Sequence, residues 1–260
     1  MEIIVSATYE EMSKAAAKAV AELLNSKPNA VLGLATGSTP LGLYKELARM
    51  HKNDGLDFSQ VTSFNLDEYV GLKKDHPQSY HYFMHENLFK HINIPAQNVY
   101  IPSGTTDNYA AFCDWYERRI KECGGIDLQL LGVGSDGHIA FNEPSSSLGS
   151  RTRIKTLAKS TIEDNARFFE KTADVPIYAI TMGVGTILEA RKILFLANGA
   201  NKADAVAKAI EGPVTSMITA SALQLHPDVI AFLDRDAAGK LAMIEYYEWI
   251  QAKSIGAPRQ

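Results

Sequence analysis

The chain has 260 residues, of which 46% are hydrophobic and 22% are charged, and its formal net charge at pH 7 is −4. These values are ordinary for a folded globular protein, and the scattered Lys and Arg residues form no basic surface that would gather nucleic acid. The N-terminus has no signal-peptide pattern and no apolar run approaches the roughly 18 residues of a membrane span, so we expect no membrane partner.

Short apolar strands alternate along the chain with amphipathic helices. In chain order the sequence predicts a strand at 2–5, a helix at 9–26, a strand at 30–36, a helix at 40–53, a strand and its outgoing loop at 61–69, a helix at 79–92, a helix at 110–123, a strand at 126–134, mixed strand and helix segments at 178–199, a helix at 201–212, a further mixed segment at 226–240, and a last helix at 241–253.

This alternation predicts one α/β domain over residues 1–260, a Rossmann-like, open and mainly parallel sheet with helices on both faces. Continuous apolar strands such as "LQLL" and "ILFLA" support this, because a parallel sheet is buried on both sides. In such sheets, ligands bind at the carboxyl ends of the strands. The chemically suggestive segments follow strands, so we expect them to meet at one edge of the sheet.

The segment "LGLATGSTPLGLYKEL" (32–47) leads from a strand through Gly37, Ser38, Thr39 and Pro40 into a helix. Glycine lets backbone N–H groups approach an anion, the hydroxyls add donors, and a helix N-terminus favours negative charge. The Lys of a nucleotide P-loop is absent at the required spacing. The segment fits a small phosphate site, and an ordinary N-capped turn fits it equally well.

Two adjacent acids, Asp67 and Glu68, end the predicted strand in "FNLDEYVGL" (64–72). Unpaired acids are costly to bury. On this segment alone, a solvated position is favoured over a functional one.

The Gly-rich segment "GVGSDGHIAFNEP" (132–144) brings Asp136, His138 and Glu143 directly after an apolar strand. Histidine titrates near neutral pH, and a neighbouring carboxylate can fix its tautomer and stabilise its protonated form. Metal binding by the same residues is the rival interpretation, although no second histidine stands at ligand spacing, and a structural histidine is a third. Three ionisable groups on a Gly-rich loop make a poor core, so we favour a functional site.

The two cysteines, Cys113 and Cys123, lie ten residues apart in one predicted helix. We expect free thiols and a reducing, cytoplasmic location rather than a disulfide or a metal pair.

Seven segments together resemble the glucosamine-6-phosphate deaminase family, in order and over nearly the whole chain. They are "LGLATGSTP", "FNLDEYVGL", "HPQSYHYFM", "GVGSDGHIAFNEP", "SRTRIKTL", "NARFF" and "LQLHPDVI". The resemblance implies conversion of D-glucosamine 6-phosphate and water to D-fructose 6-phosphate and ammonia, with no metal and no organic cofactor. It also implies that His138 opens the sugar ring, that Asp136 and Glu143 orient His138, and that Asp67 abstracts the C2 proton.

By the same resemblance, the substrate is bound by a set of loop residues and cations, namely Gly37, Ser38, Thr39, Glu68, Arg167 and Lys202. Some relatives carry Thr-Gly-Gly where this chain has Thr-Gly-Ser, but Ser38 keeps its backbone N–H. The segment at about 157–180 is similar to the family's mobile lid, which would carry Arg167 to the phosphate.

Some members of this family are hexamers activated by N-acetylglucosamine 6-phosphate at subunit interfaces. The residues that match this effector site are Ser146, Arg151, Arg153, Lys155, Thr156 and Tyr246. A plain basic strand is the alternative interpretation of "SRTRIKTL".

Other functions remain as alternatives. A 6-phosphogluconolactonase-like hydrolase would also bind a sugar phosphate and use a loop histidine, but it gives no reason for an Asp67 base. A ribose-5-phosphate isomerase has different acidic motifs, and a sugar-phosphate sensor of a transcriptional regulator would need a DNA-binding domain.

Overall fold

The computed structural model describes residues 1–253 and consists of strands and helices that alternate in much of the chain. The strands are β1 (Glu2–Ser6), β2 (Val31–Leu34), β3 (Thr62–Asn65), β4 (Asp67–Tyr69), β5 (Val99–Tyr100), β6 (Leu128–Leu131), β7 (Arg153–Thr156), β8 (Tyr178–Thr181), β9 (Lys192–Ala197) and β10 (Val229–Asp234). The α-helices are α1 (Tyr9–Ser26), α2 (Leu41–Asp54), α3 (Tyr80–Asn87), α4 (Tyr109–Glu122), α5 (Lys159–Asn165), α6 (Val184–Leu188), α7 (Ala203–Ile210) and α8 (Ile244–Lys253).

Seven strands form one parallel sheet in the order β1-β10-β9-β6-β2-β3-β5. Strands β2, β6 and β10 are buried along their whole length, as expected for a parallel sheet flanked by helices. The predicted open, mainly parallel α/β sheet is therefore confirmed.

A second, smaller sheet of three antiparallel strands was not predicted; its order is β4-β8-β7. The segment 61–69 had been predicted as one strand with its outgoing loop, and it contributes to both sheets. The backbone changes sheet at Leu66, whose N–H donates to the Leu34 carbonyl of β2 while its own carbonyl accepts from Met182 after β8. This change of sheet places Asp67 on β4 rather than in a solvated loop.

Four neighbouring strands of the large sheet, β9, β6, β2 and β3, run in the same direction and end at the same edge. The chain winds outward from β2 to β5 on one side and from β6 to β10 on the other, so the strand order reverses between β6 and β2. A crevice forms at such a reversal in α/β folds. The segments that follow these four strands carry most of the predicted site residues.

Cys113 and Cys123 are both unpaired, as the sequence predicted. Within residues 1–253, no helix is both long enough and apolar enough to cross a membrane.

Candidate active site

A cleft of about 360 Å³ opens at the carboxyl edge of the sheet. Its wall is built by segments that follow β2, β3, β6 and β9, together with the start of α3 and part of the candidate lid. The predicted site residues that line it are Gly37, Ser38, Thr39, Asp67, His138, Arg167 and Lys202. Residues from five distant parts of the sequence thus meet in one cavity.

The loop after β2 is hydrogen-bonded to Tyr9 of α1, a residue that the sequence analysis missed. Gly37 has a φ of +96°, which favours glycine, and Pro40 at the N-cap of α2 has no side chain to cap the helix. The Tyr9 hydroxyl accepts the Gly42 N–H at 2.7 Å and donates to the Thr39 carbonyl at 3.0 Å. Tyr9 therefore supplies the missing cap and fixes the loop.

The loop after β9 is connected to the loop after β2 by a side-chain hydrogen bond. The Thr39 hydroxyl donates to Asn198 Oδ1 at 2.8 Å. The next residue, Gly199, donates its N–H to both carboxylate oxygens of Asp234, each at 3.0 Å, at the end of β10. This anchoring orients the turn that leads to Lys202. Asn198 and Asn201 also line the cleft, and only their position directly after a strand could have indicated them.

Two cations, Arg167 and Lys202, face the cleft near the loop after β2. Burial lowers the pKa of Lys202, the Asp164 carboxylate opposes that effect, and the Arg167 guanidinium adds to it. The Arg167 guanidinium also lies 4.8 Å from the ring centroid of Phe168. A phosphate dianion between these cations would relieve their repulsion, which is the arrangement expected of an anion site.

Asp67 is 6% exposed and lines the cleft from β4. Burial, with the nearby Glu68 carboxylate as a second cause, raises the pKa of Asp67 to about 8. A carboxyl with a pKa so far above its usual range is a strong base once it ionises.

The structure places Glu68, which was expected to bind substrate, away from the cleft wall. Glu68 is 1% exposed and is absent from the cleft wall. Its carboxylate oxygens instead accept the backbone N–H groups of Tyr69, Tyr80 and His81, and contact Nδ1 of His81 at 2.9 Å. Because α3 uses both oxygens, neither is available to a ligand in the cleft.

His138 lies across Gly134, and this contact explains the glycine. A Cβ at Gly134 would stand 2.4 Å from Cε1 of the His138 ring, so an alanine there would displace the imidazole. Gly137 has a φ of +89°, which lets the loop turn back towards β6. The Gly-rich composition of this loop therefore serves to place one imidazole at the cleft.

Two carboxylates approach the same nitrogen of His138. Asp136 Oδ1 lies 2.7 Å from Nδ1, although Nδ1 is not aligned for a hydrogen bond, and Glu143 Oε2 lies 3.5 Å from it. Burial alone would raise the pKa of Asp136, but contact with His138 outweighs burial and holds this pKa below its usual value. The structure thus brings together the three residues that were predicted to act as a unit.

The same three residues also satisfy the spacing of a metal site, since one ligand atom from each lies within 4.8 Å of the others. Glu143 has a second contact, however, because its Oε1 accepts the Ala158 N–H at 3.1 Å. Acid–base chemistry and metal binding thus both fit the spacing of these three residues.

The candidate lid covers the cleft with α5 and a short 3₁₀ turn at Ala166–Phe168. Ser135 donates to Asp164 at 2.7 Å, which joins the His138 loop to α5. Strand β8 begins at Tyr178 and pairs with β4 on one side and β7 on the other. Residues 178–180, the last three of the predicted lid at about 157–180, therefore belong to the small antiparallel sheet.

The predicted effector residues occupy two separate places. Ser146 and Arg151 precede β7, Arg153, Lys155 and Thr156 lie on β7, and Tyr246 lies on α8, which packs against β1. Arg151 contacts the carboxylates of Glu117 and Glu189. The buried hydroxyl of Ser146 has no hydrogen-bond partner among the described residues.

Comparison with known proteins gives three results. Residues 5–230 match the sequence model of the family described as "Glucosamine-6-phosphate isomerases/6-phosphogluconolactonase". A glucosamine-6-phosphate deaminase of Thermoanaerobacter pseudethanolicus is 53% identical over 238 residues, which cover 92% of this chain and 94% of that protein. The solved structure of a monomeric glucosamine-6-phosphate deaminase superposes with a TM-score of 0.91 at 46% identity, over 92% of this chain and 100% of that one.

A more distant structure shares the fold alone. The 6-phosphogluconolactonase of Trypanosoma brucei superposes with a TM-score of 0.74 at 23% identity, over 93% of this chain and 98% of that one.

Proposed function

This chain belongs to the family of glucosamine-6-phosphate isomerases and 6-phosphogluconolactonases, and we propose that it deaminates D-glucosamine 6-phosphate to D-fructose 6-phosphate and ammonia. One observation carries the proposal: Asp67, a buried carboxyl whose pKa is raised to about 8, lines the same cleft as His138, Arg167 and Lys202. A base, an acid–base histidine and a phosphate grip in one cavity are what this reaction needs.

The phosphate group is bound by the loop after β2 together with Arg167 and Lys202. Gly37, Ser38 and Thr39 offer backbone N–H groups at the start of α2, where the helix dipole favours an anion. Arg167 offers a bidentate fork and Lys202 a point charge. Anchoring the phosphate restricts the orientation of the sugar carbons, which lowers the barrier before any proton moves.

His138 opens the pyranose ring. It shuttles a proton between the anomeric hydroxyl and the ring oxygen, and the aldehyde at C1 is released. Asp136 and Glu143 stabilise the imidazolium that forms during this transfer.

Asp67 then moves a proton from C2 to C1 of the open chain, while a proton passes from the substrate's ammonium group to the C1 oxygen. The amino aldehyde thereby becomes a protonated imine at C2 with a hydroxymethyl group at C1. Water hydrolyses this imine to the ketone and ammonia. The substrate's ammonium group supports the assignment, because a cation beside a buried carboxyl favours its ionised, basic form.

The segment 157–177 acts as a lid that closes over the bound sugar phosphate. It carries Arg167, and its first turn contacts Glu143 through the Ala158 N–H. A competitive amino-alcohol phosphate is expected to slow hydrogen exchange in this segment; unchanged exchange would remove the lid from the proposal.

The proposal also includes an effector site for N-acetylglucosamine 6-phosphate around β7. Burial lowers the pKa of Arg153, and one guanidinium nitrogen donates to Asn142 Oδ1 at 2.8 Å. We expect this sugar phosphate to activate the wild type. Activation should be lost in Arg153→Gln and kept in Arg118→Gln, a change at an exposed residue. A hyperbolic rate curve that ignores the effector would exclude this site, and sedimentation would separate a hexamer from a monomer.

The defining experiment measures ammonia and fructose 6-phosphate formed from glucosamine 6-phosphate, with 6-phosphogluconolactone as a second substrate. We expect equal amounts of the two products and no lactone hydrolysis. Lactone hydrolysis without ammonia release would replace this proposal with the lactonase alternative.

A further inference from the structure

Glu68 is a buried carboxylate directly beside Asp67, yet it is outside the cleft. Three backbone N–H groups donate to it at 2.9 to 3.1 Å, from Tyr69, Tyr80 and His81, and the His81 ring contacts it at 2.9 Å. Both carboxylate oxygens of Glu68 are thus occupied by donors from β4 and α3. A side chain that only filled space would not need them.

Two of these donors are the first two N–H groups of α3, which have no partner inside the helix. The third N–H group of α3, that of Tyr82, donates instead to the Ser79 hydroxyl at 3.1 Å. Glu68 thereby joins β4 to the start of α3, where Ser79 and Tyr80 form part of the cleft wall.

Tyr80 extends this connection across the cleft. Its hydroxyl interacts with the hydroxyls of Tyr69 and Thr36, and its ring centroid lies 5.1 Å from that of Tyr69. Thr36 belongs to the loop after β2. The position of α3 therefore relates the phosphate loop to the strand that carries Asp67.

The titratable groups that face Asp67 come from three elements. They are Glu68 and Tyr69 on β4, Tyr80 on α3 and Tyr116 on α4, while β8 contributes the neutral Thr181 opposite Asp67. His138 lies elsewhere on the same cleft wall.

We propose that Glu68 is a positioning residue for the base Asp67: its hydrogen bonds to the start of α3 hold Tyr80 at the cleft wall, and it places a second carboxyl group next to Asp67 on β4. The proposal rests on the proposed function where it concerns turnover, but both of its physical effects are measurable without turnover.

Glu68→Gln removes the charge and keeps the size of the side chain. The pKa of Asp67 should then fall, because a nearby carboxylate that raises it has gone. The acid limb of kcat/KM should move to lower pH by the same amount, and kcat on the plateau should fall about threefold because the base is weaker. Glu68→Asp keeps the charge and shortens the reach, so it should restore the acid limb and raise KM.

The matched control is Glu86→Gln. It removes one carboxylate from α3, where Glu86 is half-buried and pairs with Lys90. Its acid limb should coincide with that of the wild type. A mere loss of folding stability would lower activity without moving the limb, so the pH profile separates the two roles.

The titration of Asp67 is read directly by NMR of ¹³C-carboxyl-labelled aspartate, with Asp67→Asn to assign the signal. In the wild type the signal should titrate near pH 8, and in Glu68→Gln it should titrate lower. An ordinary wild-type value, or the same value in both proteins, would overturn the proposal even if Glu68→Gln folds poorly. If the wild type released no ammonia, the proposed function would be overturned. The titration of Asp67 in the wild type and in Glu68→Gln would still test the proposed role of Glu68.

Discussion

Asp136 uses one carboxylate oxygen for two contacts with His138: Oδ1 accepts the backbone N–H at 3.1 Å and lies 2.7 Å from Nδ1. The first contact fixes the turn, and the second places a negative charge beside the ring. The imidazole is therefore held by its own neighbour in the sequence, which explains why Asp and His are separated by one glycine.

His138→Gln should lower kcat/KM for the cyclic substrate by roughly 10²- to 10⁴-fold, because positioned proton transfer contributes about that much. Asp136→Asn should cost roughly 10²-fold, since it keeps the turn and removes the charge. Rates on an open-chain analogue should fall much less in both variants, whereas the exposed Asp107→Asn should match the wild type. Equal losses on cyclic and open-chain substrates would contradict a ring-opening role.

Tyr9→Phe should raise KM for the phosphorylated substrate about fivefold to tenfold with little change in kcat, because it removes the cap that fixes the loop after β2. Steady-state kinetics would measure both constants. Tyr82→Phe, at a side chain that is 40% exposed on α3, is the matched control and should leave KM unchanged. A drop in kcat at constant KM would place Tyr9 in another role.

Asp67 should also make folding stability depend on pH. The folded chain keeps its Asp67 protonated up to about pH 8, whereas the unfolded chain ionises it near 3.8. The folded state binds more protons between these values, so the contribution of Asp67 to stability falls as pH rises through that window.

Asp67→Asn has no charge to bury, so its stability relative to the wild type should increase from pH 5 to pH 8.5, by several kcal/mol at most. Urea unfolding of the two proteins at both pH values would measure this difference. A difference that is constant with pH would mean that Asp67 is not buried as a neutral acid.

Chelation tests the rival interpretation of the Asp136, His138 and Glu143 cluster. If the imidazole works by acid–base chemistry, dialysis against EDTA should leave kcat/KM unchanged, and added Zn²⁺ should not stimulate turnover. Loss of activity that Zn²⁺ or Mg²⁺ restores would make the cluster a metal centre.

The sequence predicted the elements whose signals are local. Helix α1 begins and ends at the predicted residues 9 and 26, because Thr8 caps it and small apolar residues repeat along one face. The segment 61–69 was harder, because only contacts with Leu34 and Met182 show that the chain changes sheet at Leu66.

The cleft residues also divide into those with a local sequence signal and those that depend on contacts far along the chain. Gly37, His138 and Arg167 stand in recognisable segments, and the structure brings them into one cleft. The contacts of Glu68 could not be predicted, because its partners Tyr80 and His81 are 12 and 13 residues further along the chain. Tyr9 was missed because it acts on a loop 30 residues away.

The proton transfer at C2 is the most direct test of the account. Glucosamine 6-phosphate deuterated at C2 would be followed by NMR with the wild type and with Asp67→Asn, after titration with an amino-alcohol phosphate shows that both bind ligand. We predict that the wild type breaks the C2–D bond and that Asp67→Asn leaves the label in place. Cleavage of that bond by Asp67→Asn at a rate close to the wild type would contradict the assignment of Asp67 as the base.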